Sequence, residues 1–99
     1  MINEGLGMVF ERENSGVVRT QFAYSKQEVK KWINEVQSIG DGINWEHYMV
    51  QHPDGRRRIG YKIGTYIVDE AIKYSGKTVI ELTKIKNAEI LKISRIVLI

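Results

Sequence analysis

The sequence contains no cysteine and only one proline, Pro53, in 99 residues. Without a thiol, the chain has no disulfide framework, no thiolate metal site and no cysteine nucleophile, and nothing in it favours an oxidising compartment. It also lacks any run near the roughly 20 apolar residues that a membrane span requires. The segment Met1 to Phe10 lacks the basic start of a signal peptide. We therefore expect a cytoplasmic protein without a membrane partner.

Histidine is almost as scarce as proline. His47 and His52 are the only two and stand five residues apart, so the HExxH metal-binding motif does not occur in this sequence. We interpret both as surface or half-buried side chains near a turn. Because a catalytic zinc site uses three protein ligands, we expect this chain by itself to bind no zinc.

Length and charge set further bounds. A chain of 99 residues is expected to form one domain, residues 1–99, with a modest core. The net charge is +3 and the pI is about 9.2, but Arg56–Arg58 is the one basic cluster, beside the turn Pro53–Gly55. Nucleic-acid binding normally also shows a recognition helix or aromatic residues on strands, and neither is evident. A solvated loop is the favoured interpretation, and a weak nucleic-acid-binding module is kept as an alternative.

Residues 60–75 carry the strongest pattern in the chain. Apolar residues recur there at steps of three or four, with a second apolar stripe on another side, as expected of a helix buried between neighbours. Gly76 follows at the position where a left-handed glycine ends a helix. The first stripe is Ile59, Ile63, Ile67, Ala71 and Tyr74, and the second is Tyr61, Val68 and Ile72.

Capping residues and apolar spacing predict further helices around this central one. The predicted elements are a helix at Ile2–Arg12 with Leu6, Val9 and Phe10 on one face, an extended segment at Val17–Phe22, a helix at Lys26–Ser38 opened by Ser25 and Glu28, a helix at Ile43–Gln51, a short helix opened by Thr78 and Glu81, and a last helix capped by Asn87. The fold class is therefore mainly α, a small multi-helix domain of five or six helices around the buried helix 60–75.

Several short stretches occur in an order that resembles the C-terminal end of the DUF2268 family of predicted zinc-dependent proteases. They are Gly60-Tyr61, Gly64 with Tyr66, Glu81-Leu82-Thr83 and Ala88-Glu89-Ile90-Leu91. The segment Ile2–Phe10, containing Glu4-Gly5-Leu6-Gly7, is similar to the family's E-G-L-A helix. The resemblance thus extends over nearly the whole chain, although the HExxH motif is missing.

The resemblance implies roles for three residues in an intact relative. Glu4 would be the third zinc ligand, beside the two histidines of an HExxH helix. Tyr61 or Tyr66 would donate a hydrogen bond to the oxyanion of a tetrahedral intermediate. The alternative for both tyrosines is a core position with a satisfied hydroxyl, which is common for tyrosine on a buried helix.

Since HExxH is missing, we expect the chain to correspond to the C-terminal segment of a metallopeptidase-like hydrolase, truncated upstream of its catalytic helix and inactive alone. The expected partner is either the missing N-terminal catalytic half or a second copy of the chain. Either would cover an exposed apolar patch around Leu6 and Val9. The apolar end Ile93–Ile99 would pack on the core or on a partner. A helical protein–protein interaction module is the alternative function.

Overall fold

The fold was analysed on a computed structural model, which describes residues 1–15 and 23–96. The described residues form six α-helices and a short 3₁₀ turn, Gly40–Gly42, and contain no strand. The prediction of a mainly α domain with five or six helices is confirmed. The predicted extended segment Val17–Phe22 lies outside the described residues. The helices are α1 Ile2–Ser15, α2 Lys26–Ile39, α3 Trp45–Met49, α4 Ile59–Ser75, α5 Val79–Thr83 and α6 Asn87–Ser94.

Helix α4 is the centre of the fold. Ten of its 17 residues are buried, and α1, α2, α3 and α6 all pack against it. Ile59, Ile67 and Ala71 are fully buried, which confirms the predicted apolar face. Tyr74, placed in the same stripe, is instead 42% exposed. It lies in the last turn of α4, where its ring packs against the Arg95 side chain rather than the core.

Most predicted helix ends are where the capping residues put them. Gly76 has φ 71° and its N–H donates to the Ile72 carbonyl, which ends α4. Thr78 and Glu81 form the reciprocal capping box of α5, with N–O distances of 3.1 and 3.0 Å. Ser25 caps α2 by accepting from the backbone N–H of Glu28.

The structure corrects two helix boundaries. The helix predicted at 43–51 is only five residues long, because Asn44 accepts from the backbone N–H groups of Glu46 and His47 and thereby starts α3 later. Asn87 does not cap α6. Lys86 occupies the cap position, and the Asn87 side-chain amide donates to Asn3 Oδ1 on α1 at 3.0 Å instead.

Two glycines, Gly5 on α1 and Gly64 on α4, allow the backbones of these helices to touch, and we call this the glycine contact. A Cβ at Gly5 would overlap the Gly64 carbonyl group. A Cβ at Gly64 would overlap the Met1 carbonyl oxygen and lie 3.2 Å from the Gly5 nitrogen. A Cβ at Gly60 would overlap the Met49 sulfur. Main-chain atoms, which cannot move aside, therefore exclude a side chain at Gly5 and at Gly64. Gly60 instead faces the side chain of Met49 on α3.

A second contact between the same helices fixes their direction. Seven residues after Gly5, Arg12 on α1 donates from Nη1 and Nη2 to Asp69 on α4, at 3.2 and 2.5 Å. Asp69 follows Gly64 by five residues. From the first contact to the second, both helices therefore run in the same N-to-C direction. Helices α1 and α4 therefore lie side by side and roughly parallel.

The apolar face of α1 is used within the chain. Leu6 is 8% exposed and Val9 is fully buried, because α1 packs against both α4 and α5. The prediction of an exposed patch around these two residues is therefore wrong. Phe10, placed on the same face, is 45% exposed. Self-association stays a prediction, but Leu6 and Val9 are not its surface.

The glycine contact predicts opposite effects for two alanine substitutions. Gly64→Ala should destabilise the fold by about 1 to 3 kcal/mol, as overpacked positions do, because the new methyl group meets main-chain atoms of α1. Gly7→Ala should be neutral or stabilise by up to about 1 kcal/mol, since a Cβ there has no neighbour within 4 Å and alanine favours the helix. Urea unfolding of both variants measures the difference. Equal stability of the two variants would contradict the contact.

Candidate functional site

Glu4 lies in the first turn of α1, next to the glycine contact. Its side chain is about one-third exposed, and its Oε2 atom is 2.9 Å from the α-ammonium nitrogen of Met1. That oxygen is buried and accepts no aligned hydrogen bond from the described residues, so we treat the contact as an ion pair. The ammonium lowers the pKa of Glu4. The carboxylate is therefore charged at neutral pH.

An apolar groove adjoins this carboxylate. It has a volume of about 230 Å³ and lies between α2, α3 and α4. Met1 lines the groove and also pairs with Glu4, so groove and carboxylate are continuous. Trp45, at its edge, is 52% exposed. The lining residues are Met1, Ile33, Val36, Gln37, Gly40, Trp45 and Ile63.

The two predicted tyrosines lie on different sides of α4. At about 100° per residue, Tyr61 is about 60° from Gly64 around the helix, whereas Tyr66 is about 160° away. Tyr61 is half-buried and its ring lies 5.0 Å from the Arg58 guanidinium carbon. Tyr61 thus lies on the side of α4 that faces α1, the helix that carries Glu4. Tyr66 lies on the other side.

Tyr66 is a buried side chain on the opposite side. It is 6% exposed, and its ring meets that of Tyr24 edge-on, with 5.9 Å between centroids. Burial raises the pKa of Tyr66, so its phenol stays protonated at neutral pH.

The histidines lie near the turn that follows α3, as predicted, and both are half-buried. The His47 and His52 rings are 5.4 Å apart, and the His52 ring is also 5.4 Å from that of Tyr48. The backbone N–H of Asp54 donates to His52 Nδ1 at 3.2 Å. These contacts give both imidazoles a packing role in the turn.

Two of the three clustered arginines are engaged by neighbouring side chains. Arg56 donates to Asp54 at 2.8 Å and to Glu35 at 3.2 Å. Its hydrogen bond lowers the pKa of Asp54 to about 2. Arg58 lies over the Tyr61 ring. The cluster therefore does not form one basic patch.

The described residues do not supply a complete zinc site. Within 1–15 and 23–96, no three histidine, cysteine, aspartate or glutamate side chains lie close enough together to hold a metal ion. Glu4 is one carboxylate, and a catalytic zinc site needs three protein ligands. In the same part of the chain, no helix has both the length and the apolar character needed to cross a bilayer.

Comparison with known proteins decides the family. The family described as predicted Zn-dependent protease (DUF2268) matches residues 1–92. The chain belongs to this family. Neither the search of curated proteins nor that of solved structures gave a match. The family description indicates zinc dependence among the relatives of this DUF2268 protein, and its N-terminal helix, including Glu4, lies inside the matched region.

Sequence reasoning missed one polar cluster of this DUF2268 protein. The Tyr24 hydroxyl donates to Asp69 Oδ2, which also accepts from Arg12. The carboxylate thus joins α1, α4 and the segment before α2. Burial, followed by the hydrogen bond to Asp69, strongly raises the pKa of Tyr24. The available signal was an aspartate within the buried helix α4, which requires a partner.

The lowered pKa of Glu4 predicts a pH-dependent contribution to stability. The folded-state pKa lies below 4.5, the ordinary value for a glutamate. The contribution is therefore complete above that value and is lost as the pH falls through the folded-state pKa. At neutral pH, Glu4→Gln should therefore destabilise the fold, by less than about 1 kcal/mol because solvent screens a partly exposed pair.

Urea unfolding of wild type and Glu4→Gln at neutral pH and at about pH 3 tests this prediction. The stability difference should shrink on acidification. Glu13→Gln, an exposed position on the same helix, controls for the loss of one carboxylate. A difference that stays constant or grows on acidification would refute the assigned ion pair.

Proposed function

We propose that this chain is the glutamate-bearing C-terminal part of a zinc metallopeptidase. In this role Glu4 would be one of three metal ligands, and an HExxH helix would supply the two histidines. Alone, the chain would be inactive as a hydrolase. The proposal rests on membership of the DUF2268 family and on the position of Glu4.

The position of the Glu4 carboxylate is the observation that carries the proposal. It is charged, its Oε2 atom is buried, and the cation facing that atom is the α-ammonium of Met1. The glycine contact holds the first turn of α1 against α4, so the helix carrying the carboxylate is fixed. An ionised carboxylate is the form of glutamate that binds zinc, and zinc bound here would take the place of the ammonium.

The apolar groove beside Glu4 supports the same function. Ile33 and Ile63 form its walls and Trp45 lies at its edge, which suits the apolar face of an amphipathic helix. An HExxH helix bound there would lie next to the carboxylate, because Met1 contacts both. We propose this groove as the binding surface of the missing catalytic half.

Among the two tyrosines, we propose Tyr61 for the hydrogen bond to the oxyanion and a core role for Tyr66. Tyr61 lies on the side of α4 that faces α1. Tyr66 is buried against Tyr24 on the opposite side. Oxyanion donors must lie close to the reacting carbonyl group, which the position of Tyr66 does not favour.

A second candidate function is an interaction module that dimerises or binds a partner through the same groove. The observation in its favour is Trp45, which lines the groove and is 52% exposed. An exposed tryptophan at the edge of an apolar groove is typical of interaction surfaces. Trp45→Ala should abolish such association, as measured by sedimentation at micromolar concentration.

Zinc binding in trans tests the metallopeptidase proposal. The chain alone should retain no stoichiometric zinc after dialysis and should cleave no peptide. Mixed with the HExxH-containing segment of a full-length DUF2268 relative, it should form a complex that retains about one zinc and hydrolyses peptides. The three-ligand arrangement of catalytic zinc sites sets this stoichiometry.

Two variants separate ligation from folding. Glu4→Gln should keep the complex but lose zinc, because the amide is a much weaker ligand than the carboxylate. Glu13→Gln, on the exposed side of the same helix, should keep both. A Glu4→Gln complex that holds zinc as tightly as wild type would overturn the ligand assignment. Failure of the two segments to associate would overturn the groove assignment.

A further inference from the structure

A second concave site lies on the side of α4 away from Glu4, between α2, α4 and the end of α6. Its volume is about 400 Å³, within the range of small-molecule sites. We call it the Tyr66 cleft. Its polar lining is Lys30, Asn34, Tyr66, Glu70, Tyr74, Ser94 and Arg95.

Ser94 donates to the Leu91 carbonyl, but three other side-chain donors in this cleft have no acceptor among the described residues. Among residues 1–15 and 23–96, the side chains of Lys30, Asn34 and Tyr66 make no hydrogen bond or ion pair to another residue. Burial raises the pKa of the Tyr66 phenol, so it keeps its proton and remains a donor. A cleft with several free donors favours a ligand rich in acceptor oxygens.

Arg95 lines the cleft and ends α6 in a left-handed backbone conformation. Its φ is 62° and its ψ is 15°, the left-handed region, which is unfavourable for a residue with a side chain. The guanidinium carbon lies 4.1 Å from the centroid of the Tyr74 ring. Stacking uses the face of the guanidinium and leaves its in-plane N–H groups available for a planar anion such as a carboxylate.

The charge of the cleft is positive. Glu70 is only 7% exposed, and its Oε1 atom is 3.5 Å from Lys26 Nζ, so this carboxylate already has a cation. Lys30 and Arg95 have no such partner in the described part of the chain. Their two positive charges therefore remain for a ligand.

We propose that the Tyr66 cleft binds a small organic carboxylate with an apolar or aromatic body. Arg95 and Lys30 hold the carboxylate, and the Tyr66 hydroxyl donates to it. Ile33 and Ile96 contact the body. The ligand is either a free acid or the C-terminal residue of a peptide, because both present the same carboxylate. The site is separate from Glu4 and does not depend on the proposed metallopeptidase function.

Titration of the ¹⁵N-labelled chain with N-acetyl-phenylalanine, followed by amide chemical shifts, tests the site. Saturable shifts should centre on Lys30, Asn34 and Arg95. N-acetyl-phenylalanine amide, which lacks the negative charge, should cause no saturable shift there. A peptide arm, Ala-Ala-Phe with a free or an amidated C-terminus, distinguishes the sources: tighter binding of the free peptide indicates a peptide terminus, and tighter binding of the acid indicates a small molecule.

Two variants in different elements guard against a folding artefact. Lys30→Gln, at an exposed position of α2, and Arg95→Gln should each weaken binding of the acid about tenfold or more, as expected for the loss of a charge-assisted hydrogen bond. Lys86→Gln, an exposed lysine outside the cleft, removes the same charge and should leave binding unchanged. Circular dichroism checks that each variant is folded.

Three results would overturn the proposal. The first is the absence of saturable shifts with either carboxylate probe. The second is equal binding of the acid and its amide, since the site is defined by the charge. The third is an equal loss of binding in Lys86→Gln and Lys30→Gln, which would mean that the acid is attracted by the net charge of the protein and not by this cleft.

Discussion

The direct contact between the backbones of α1 and α4 positions the first turn of α1. A methyl group at Gly5 or Gly64 would overlap main-chain atoms of the facing helix, so this approach requires glycine at both positions. Overpacking of this kind cannot be relieved by rotating a side chain. The Arg12–Asp69 ion pair ties the same two helices further along. Since Glu4 precedes Gly5 directly, the position of its carboxylate depends on this contact.

Some charged side chains of this protein hold helices and turns together, whereas others can bind a ligand. Asp69 joins Arg12 and Tyr24, and Arg56 links the turn after α3 to α2 through Asp54 and Glu35; these groups are used in holding elements together. Glu4, on one side of α4, and the cations of the Tyr66 cleft, on the other, are different. Within the described residues, Lys30 and Arg95 make no ion pair and Glu4 pairs only with the Met1 α-ammonium, which is why we assign ligands to these groups.

Local signals predicted the fold well, and long-range contacts explain the rest. Gly76 and the capping box of Thr78 mark helix ends by short-range hydrogen bonds, so the sequence alone locates them. The periodicity of α4 likewise identifies the central helix. Burial of Leu6 and Val9 depends on how α1 packs against α4 and α5, which no local pattern specifies. The cleft at Arg95 was missed for the same reason, because its walls come from three separate helices. The role of Glu4 came from family resemblance, not from its spacing.

Helices α1 and α4 touch through their backbones at Gly5 and Gly64, and this contact fixes the position of Glu4. Nuclear Overhauser effects between the Hα protons of Gly5 and those of Gly64 measure this contact directly in solution, because such effects are seen only between protons in close proximity. We expect strong cross-peaks between these two residues in the unmodified chain. Their absence, in spectra that show other contacts between α1 and α4, would contradict it.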